Sequence, residues 1–300
     1  MAIIAMLGYE KGGANADWEW ATQYERRLEG RGLFETGSGL AYLLSIAGNG
    51  IAPFLAFVGA FRQGRLLLLA GLAYPLFSFF LLGIKGQILL ALLGAFFGLV
   101  CRTNRYAKFT QLLLLALLGL AVMSLAEPFF FDTSFLAQIF FRRAFFLVGA
   151  TQAYFADYIL STLLLTTQNW PIDLATQSNE PITYLVGRVY MQSDLVSANS
   201  NAFLVALAAQ GVLGYLLAVA FTVAFLCFLD RLYLKAGNQE VLFVALLYSA
   251  LVCGQAYTVV LITSGIALLA VLVSTMRRQP HEATHRVSMP INVTNPRHAA

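Results

Sequence analysis

An all-α polytopic membrane protein is the fold class that this sequence predicts, and three observations predict it. Of 300 residues, 59% are hydrophobic and only 11% charged, where a soluble domain carries roughly a quarter charged residues. The mean hydropathy is +0.72. The apolar residues gather in runs close to the ~20 needed to cross a hydrocarbon core, separated by short polar turns. The aromatic residues are dominated by Phe, 24 against 13 Tyr and 3 Trp, which suits lipid and core contacts better than interfacial belts. Cys101, Cys227 and Cys253 lie in or at the end of apolar runs and read as small hydrophobes, so neither a disulfide nor a metal site is expected.

Taken in order, the chain opens on an apolar stretch from Ala2 to Tyr9 that is too short to span and lacks a cationic lead or cleavage site, so no signal peptide is expected. Residues 1–37 are otherwise polar and charged. Candidate spans follow at Ser38–Phe61, Leu66–Ile84, Gln87–Val100, Phe109–Ala126 and Ala202–Leu229. The last apolar stretch, Val241–Thr275, has 35 residues. As one helix it would reach about 52 Å against about 30 Å of hydrocarbon, so it should fold as two short helices hinged near Gly254–Gln255. About seven transmembrane helices result. The transmembrane domain covers residues 38–276 and holds a large external segment at 127–201, and residues 277–300 form a disordered cytoplasmic tail.

The cations support that count. On the seven-span reading, eleven of the nineteen Lys and Arg share one side: Arg62, Arg65, Arg102, Arg105, Lys108, Arg231, Lys235, Arg277, Arg278, Arg286 and Arg297. Only Asp230, Glu240 and Glu282 accompany them, so this side is the cytoplasm by the positive-inside rule. The pI near 9.0 is thus a topology signal, and no nucleic-acid partner is expected.

The external segment Glu127–Asn201 is 75 residues long, too long to be without structure of its own. Within it, Ala144–Leu165 is apolar but carries Gln152, Tyr154 and Asp157. A full span there would invert everything after it, so an interfacial or re-entrant helix is the consistent reading. Counting 100° per residue places Leu147, Ala150, Tyr154, Asp157, Tyr158 and Ser161 on one stripe headed by Arg143. From Asn169 to Ser200, the Pro, Asn, Thr and Ser content reads as an external loop.

Soluble-enzyme motifs are missing: there is no phosphate-binding glycine fingerprint, no nucleophile elbow and no metal-spaced Cys or His. The three histidines, His281, His285 and His298, sit in the tail. What asks for an explanation is a set of external cations beside apolar helices, because a charge near hydrocarbon is costly and tends to mark a ligand path. Lys85 occupies the turn between two spans; it either serves a ligand or reaches lipid headgroups. Arg142 and Arg143 follow Phe140-Phe141 and point to different faces of a helix, so at most one joins the stripe. Arg26 and Arg27 sit in a charged segment with Glu25 and Arg31, where a solvated surface is the plain alternative. Arg188 lies in the loop. Guanidinium groups converging on an external face suit phosphate or pyrophosphate, which they grip in bidentate fashion. With no nucleotide cradle beside them, the simplest phosphate-bearing substrate is a lipid-linked one.

Several stretches resemble bacterial O-antigen polymerases, the oligosaccharide repeat-unit polymerase family. They are Phe140 to Gly149 with Tyr154-Phe155-Ala156-Asp157-Tyr158; Tyr24-Glu25-Arg26-Arg27; Phe80 to Gln87 around Lys85; Ser197-Ala198-Asn199-Ser200-Asn201 leading to Gln210-Gly211-Val212-Leu213-Gly214; and Thr258 to Leu268. The resemblance spans about residues 20 to 275. It implies a GT-C-like, metal-independent and cofactor-free glycosyltransferase of the bacterial inner membrane. Such an enzyme joins undecaprenyl-pyrophosphate-linked oligosaccharides on the periplasmic side, among membrane lipids, with a chain-length regulator and a flippase as further partners. Family members usually have ten or more spans, so the resemblance implies a fragment or a reduced member. Carried over, it makes Arg143, Lys85, Asp157 and Tyr154 catalytic and Arg142, Arg26, Arg27, Arg188, Asn199 and Asn201 substrate-binding. The related O-antigen ligases carry a histidine in the Asn199 region, which weighs against a ligase here. A flippase of lipid-linked oligosaccharide is the alternative from another class. Neither repeated halves nor broken helices, the usual transporter signs, is apparent in the sequence.

Overall fold

The computed structural model describes residues 1–13, 38–103, 106–130, 147–163, 181–192 and 197–276. All regular structure among them is helical. Five helices are long and apolar enough to cross a membrane: Gly39–Arg62, Arg65–Leu82, Gly86–Thr103, Thr110–Glu127 and Ala202–Lys235. They match the first five spans read from the sequence to within a few residues, except that the fifth runs further.

The first span is not one uniform helix. Ser38 caps its start, its hydroxyl accepting from the Ala41 N–H at 3.3 Å, and α2 (Gly39–Ser45) leads into a π-helical turn, Ile46–Ile51, before α3 (Ala52–Arg62) completes the span. Ahead of it, α1 (Ala2–Gly12) forms a short helix that packs on α2 and on α4 (Arg65–Leu82), with Met1, Ile4 and Ala5 against Leu44, Tyr74 and Leu81. The apolar opening too short to span is therefore a helix that rests part of one side on the bundle and leaves Ile3, Met6 and Tyr9 exposed.

α3 is the hub. It packs against both α4 and α5 (Gly86–Thr103), and Gly94 and Gly98 on α5 let the two backbones meet. A methyl group at either would land on the carbonyl oxygen of Pro53 or Phe57. This small-residue spacing is how helices associate where lipid removes the hydrophobic drive. Phe57 stacks on Phe243 with ring centroids 4.6 Å apart, and Phe97 and Phe61 stack on Phe57. α6 (Tyr106–Phe130) carries exposed leucines along its length and packs mainly on α5.

The long helix α9 (Ala202–Ala236) bends at Gly211, whose φ of 67° and ψ of −161° no helical residue adopts. After it, α10 (Gln239–Val252) ends near the expected hinge at Gly254–Gln255. A second π turn, Val259–Thr263, then leads through Ser264 and Gly265 into α11 (Ile266–Thr275). With 14 and 10 residues, α10 and α11 reach about 21 Å and 15 Å. In place of two complete spans, the structure has a hairpin broken twice.

Two ends of the bundle can be told apart. At one, the Arg62 side chain at the end of α3 donates through both Nε and Nη2 to Glu240 Oε1 at the start of α10. At the other, the Gly83–Lys85 turn joins α4 to α5. The pairing of Arg62 with Glu240 on one face agrees with the side to which charge counting assigned both.

Candidate functional site: a tyrosine and carboxylate cluster at the start of the long helix

The stripe read as Leu147 to Ser161 lies on α7 (Leu147–Leu163). Its apolar side is anchored by Phe155, fully buried against Val186, Ala198 and Val205. Val186 belongs to α8 (Ile182–Met191), a helix inside the stretch that composition reads as a loop. The signal was there: Ile182, Leu185, Val186 and Val189 follow helical spacing directly after Pro181, a good helix starter.

α8 brings in a residue that the sequence reading missed. The Tyr190 hydroxyl donates to Asp157 Oδ2 at 2.7 Å, and its ring stacks on Tyr154 with centroids 5.1 Å apart and planes 14° from parallel. Asp157 is exposed, and both tyrosines are half-buried. Partial burial raises the Tyr190 pKa above its ordinary value, and the hydrogen bond to Asp157 adds to the rise. The tyrosine therefore stays a neutral donor.

The Ser197–Asn201 segment borders the cluster. The Ala198 N–H donates to the Thr183 carbonyl at 2.9 Å, pinning it to α8. The Asn201 oxygen accepts from the Phe203 and Leu204 N–H groups at 3.1 and 2.9 Å and so caps α9. That oxygen serves the helix end. Asn199 remains exposed and accepts from the Ser197 hydroxyl at 3.0 Å. Ser200, only 4% exposed, has a hydroxyl with no partner among the described residues. Ala256, in the bend after α10, packs on the same cluster, so the tip of the broken hairpin reaches this site.

The other expected site residues are placed differently. Lys85 is half-buried in the turn before α5, and its neighbour Ile84 packs on the α1, α2 and α4 cluster rather than on the one that holds Tyr154. Arg188 is exposed in the last turn of α8, where a cation suits the carbonyl end of the helix. Arg26, Arg27, Arg142, Arg143 and the histidines of the tail lie outside the described residues.

A second irregular region lies inside the bundle. The two π turns, one within the continuous first span and one in the interrupted stretch after α10, lie side by side: a methyl group at Gly50 would meet the Ser264 carbonyl oxygen, and one at Gly265 would meet Ile46. Ser264 donates to Gln255 Oε1 at 3.1 Å. The Gln87 amide lies against Gly48, is 3% exposed, and leaves Oε1 without a partner among the described residues. The stretch after α10 is interrupted at 253–256, by the expected hinge, and again at 264–265, while the π turn of the first span leaves Gly39–Arg62 a continuous helix. A π turn changes local periodicity by about one residue per turn, too little to show in an apolar run.

Compared with models of known protein families, with curated proteins and with solved structures, the chain matches none.

Proposed function

We propose that the protein is a multi-pass membrane glycosyltransferase that joins oligosaccharide repeat units carried on a lipid pyrophosphate, on the bundle face that holds α7 and α8. The observation that carries this reading is the Asp157–Tyr190–Tyr154 constellation at the opposite end of α9 from the Arg62–Glu240 pair. In the proposed reaction an acceptor sugar hydroxyl attacks the anomeric carbon of the donor. The new glycosidic bond forms as the bond from that carbon to the pyrophosphate oxygen breaks. Asp157 takes the hydroxyl proton, and the lipid pyrophosphate leaves with the electron pair. Tyr190 orients the carboxylate and holds the proton it already has. Arg143 and Lys85 are assigned to the charge that grows on the pyrophosphate, with Arg142, Arg26, Arg27 and Arg188 binding the donor. Preorganised charge of this kind supplies much of the rate enhancement in many group transfers. The bacterial inner membrane is the proposed location.

The test is elongation of purified lipid-linked repeat units by the detergent-solubilised protein. Longer glycan on the lipid is the expected product, and unchanged substrate with well-folded protein overturns the reading. One observation favours a second reading, transport of the lipid-linked glycan: the stretch after α10 is interrupted at 253–256 and 264–265 and packs there on the π turn of the first span, and discontinuous helices are parts from which transporters build substrate paths. A transporter would move the labelled lipid across vesicles and leave its chain length unchanged.

A further inference from the structure

We infer that the face formed by Tyr154, Tyr190 and Asp157 is a subsite for a neutral hexose ring, the acceptor sugar, and not for the pyrophosphate. This rests on the glycosyltransferase reading and gives its described residues a ligand class.

Three features carry it. Two nearly parallel, half-buried tyrosine rings offer flat apolar surface of the kind on which the C–H face of a pyranose packs, through many small dispersion and C–H contacts. Beside them stands an exposed carboxylate whose one partner among the described residues is Tyr190 through Oδ2. Oδ1 is left to accept from sugar hydroxyls, and charge-assisted hydrogen bonds are the stronger kind. Third, the segment running from Ala198, packed in this same cluster, to Asn201 presents the exposed amide of Asn199. Apolar surface with a few placed polar groups is the general make-up of a small-molecule site. A pyrophosphate would find a negative charge at Asp157 and a hydroxyl that Tyr190 has already committed. Like charges at close range oppose binding.

The experiment is saturation-transfer difference NMR on the full-length protein in nanodiscs, with the methyl α-pyranosides of glucose, mannose and galactose as probes and inorganic pyrophosphate as competitor. At least one hexoside should receive saturation, strongest at its ring C–H protons. Asp157→Asn should weaken that binding by about tenfold, the usual worth of a charge-assisted hydrogen bond. Tyr190→Leu should abolish it. Tyr190→Phe keeps the ring and should bind more weakly than wild type but better than Tyr190→Leu, so a general loss of fold in the leucine variant is separable. Pyrophosphate should not displace the sugar. The inference is overturned if no hexoside receives saturation, if Asp157→Asn and Tyr190→Leu both bind as wild type does, or if pyrophosphate competes. Sugar saturation without elongation of lipid-linked units would keep this subsite and remove the polymerase reading. Elongation with saturation unchanged in the variants would do the reverse.

Discussion

Tyr190 holds its proton more tightly than a free tyrosine because its surroundings are partly dry and a carboxylate accepts from it. The sign of the pH dependence follows. A folded-state value above the unfolded one means that the contribution to stability is complete below the unfolded tyrosine range and is lost as pH climbs through the raised value. With 13C-labelled tyrosine, the Tyr190 ring resonance is expected to titrate above the ordinary range, and Asp157→Asn to shift its midpoint down. A midpoint unmoved by Asp157→Asn would contradict the pairing. Glu240 gives a second expectation. Its carboxylate side chain is 3% exposed and takes two hydrogen bonds from Arg62, so Arg62→Ala should cost about 2 kcal/mol and lower the melting temperature in detergent. Arg102→Ala, on an exposed side chain in the last turn of α5, should be within about 0.5 kcal/mol of wild type. Arg62 is therefore a poor control for activity, and Arg102 a better one. At this scale, Tyr154 and Asp157 were legible because they share one helix and a 100° count aligns them. Tyr190 lies 33 residues beyond Asp157, and nothing local in the sequence couples two helices across that distance.

At the scale of elements, the points where helices break decide what the bundle can hold. The hinge after α10 was legible from length alone, because no membrane accommodates 35 apolar residues as one straight helix. The bend at Gly211 and the two π turns were not, since an all-apolar helix shows no face whose periodicity could slip. At Gly50 the meeting with the Ser264 carbonyl is backbone against backbone. Gly50→Ala should destabilise the protein by about 1–3 kcal/mol, the range for forcing atoms into a packed interior. Gly39→Ala, where an added methyl group meets nothing within 4 Å, should be neutral or slightly stabilising, because alanine is the better helix former. Thermal unfolding followed by size-exclusion fluorescence compares the two. Equal melting temperatures would mean that the π turn of the first span and the interrupted stretch after α10 do not pack as described.

Across the full bundle, charge and packing point to one arrangement. Hydropathy made the five long spans legible, and the Arg62–Glu240 pair puts the end of α3 and the start of α10 on one face, as the distribution of cations required. The last two helices were legible as short from the 35-residue length of their stretch, but their ends at 14 and 10 residues were not, because hydropathy sees composition and not breaks. A fluorescent reporter that matures only in the cytoplasm, fused at Arg278, is expected to fluoresce. An expressed but dark fusion would reverse the orientation and remove α7 and α8 from the external face. The central claim, that this external face performs glycosyl transfer with Asp157 as the proton acceptor, has its most direct test in the rate at which nanodisc-embedded protein elongates lipid-pyrophosphate-linked repeat units. Loss of a positioned general base costs on the order of 100-fold or more. The account predicts a fall of that size for Asp157→Asn, comparable falls for Arg143→Ala and Lys85→Ala, and a near-normal rate for Arg102→Ala. Elongation by Asp157→Asn at the wild-type rate would contradict it.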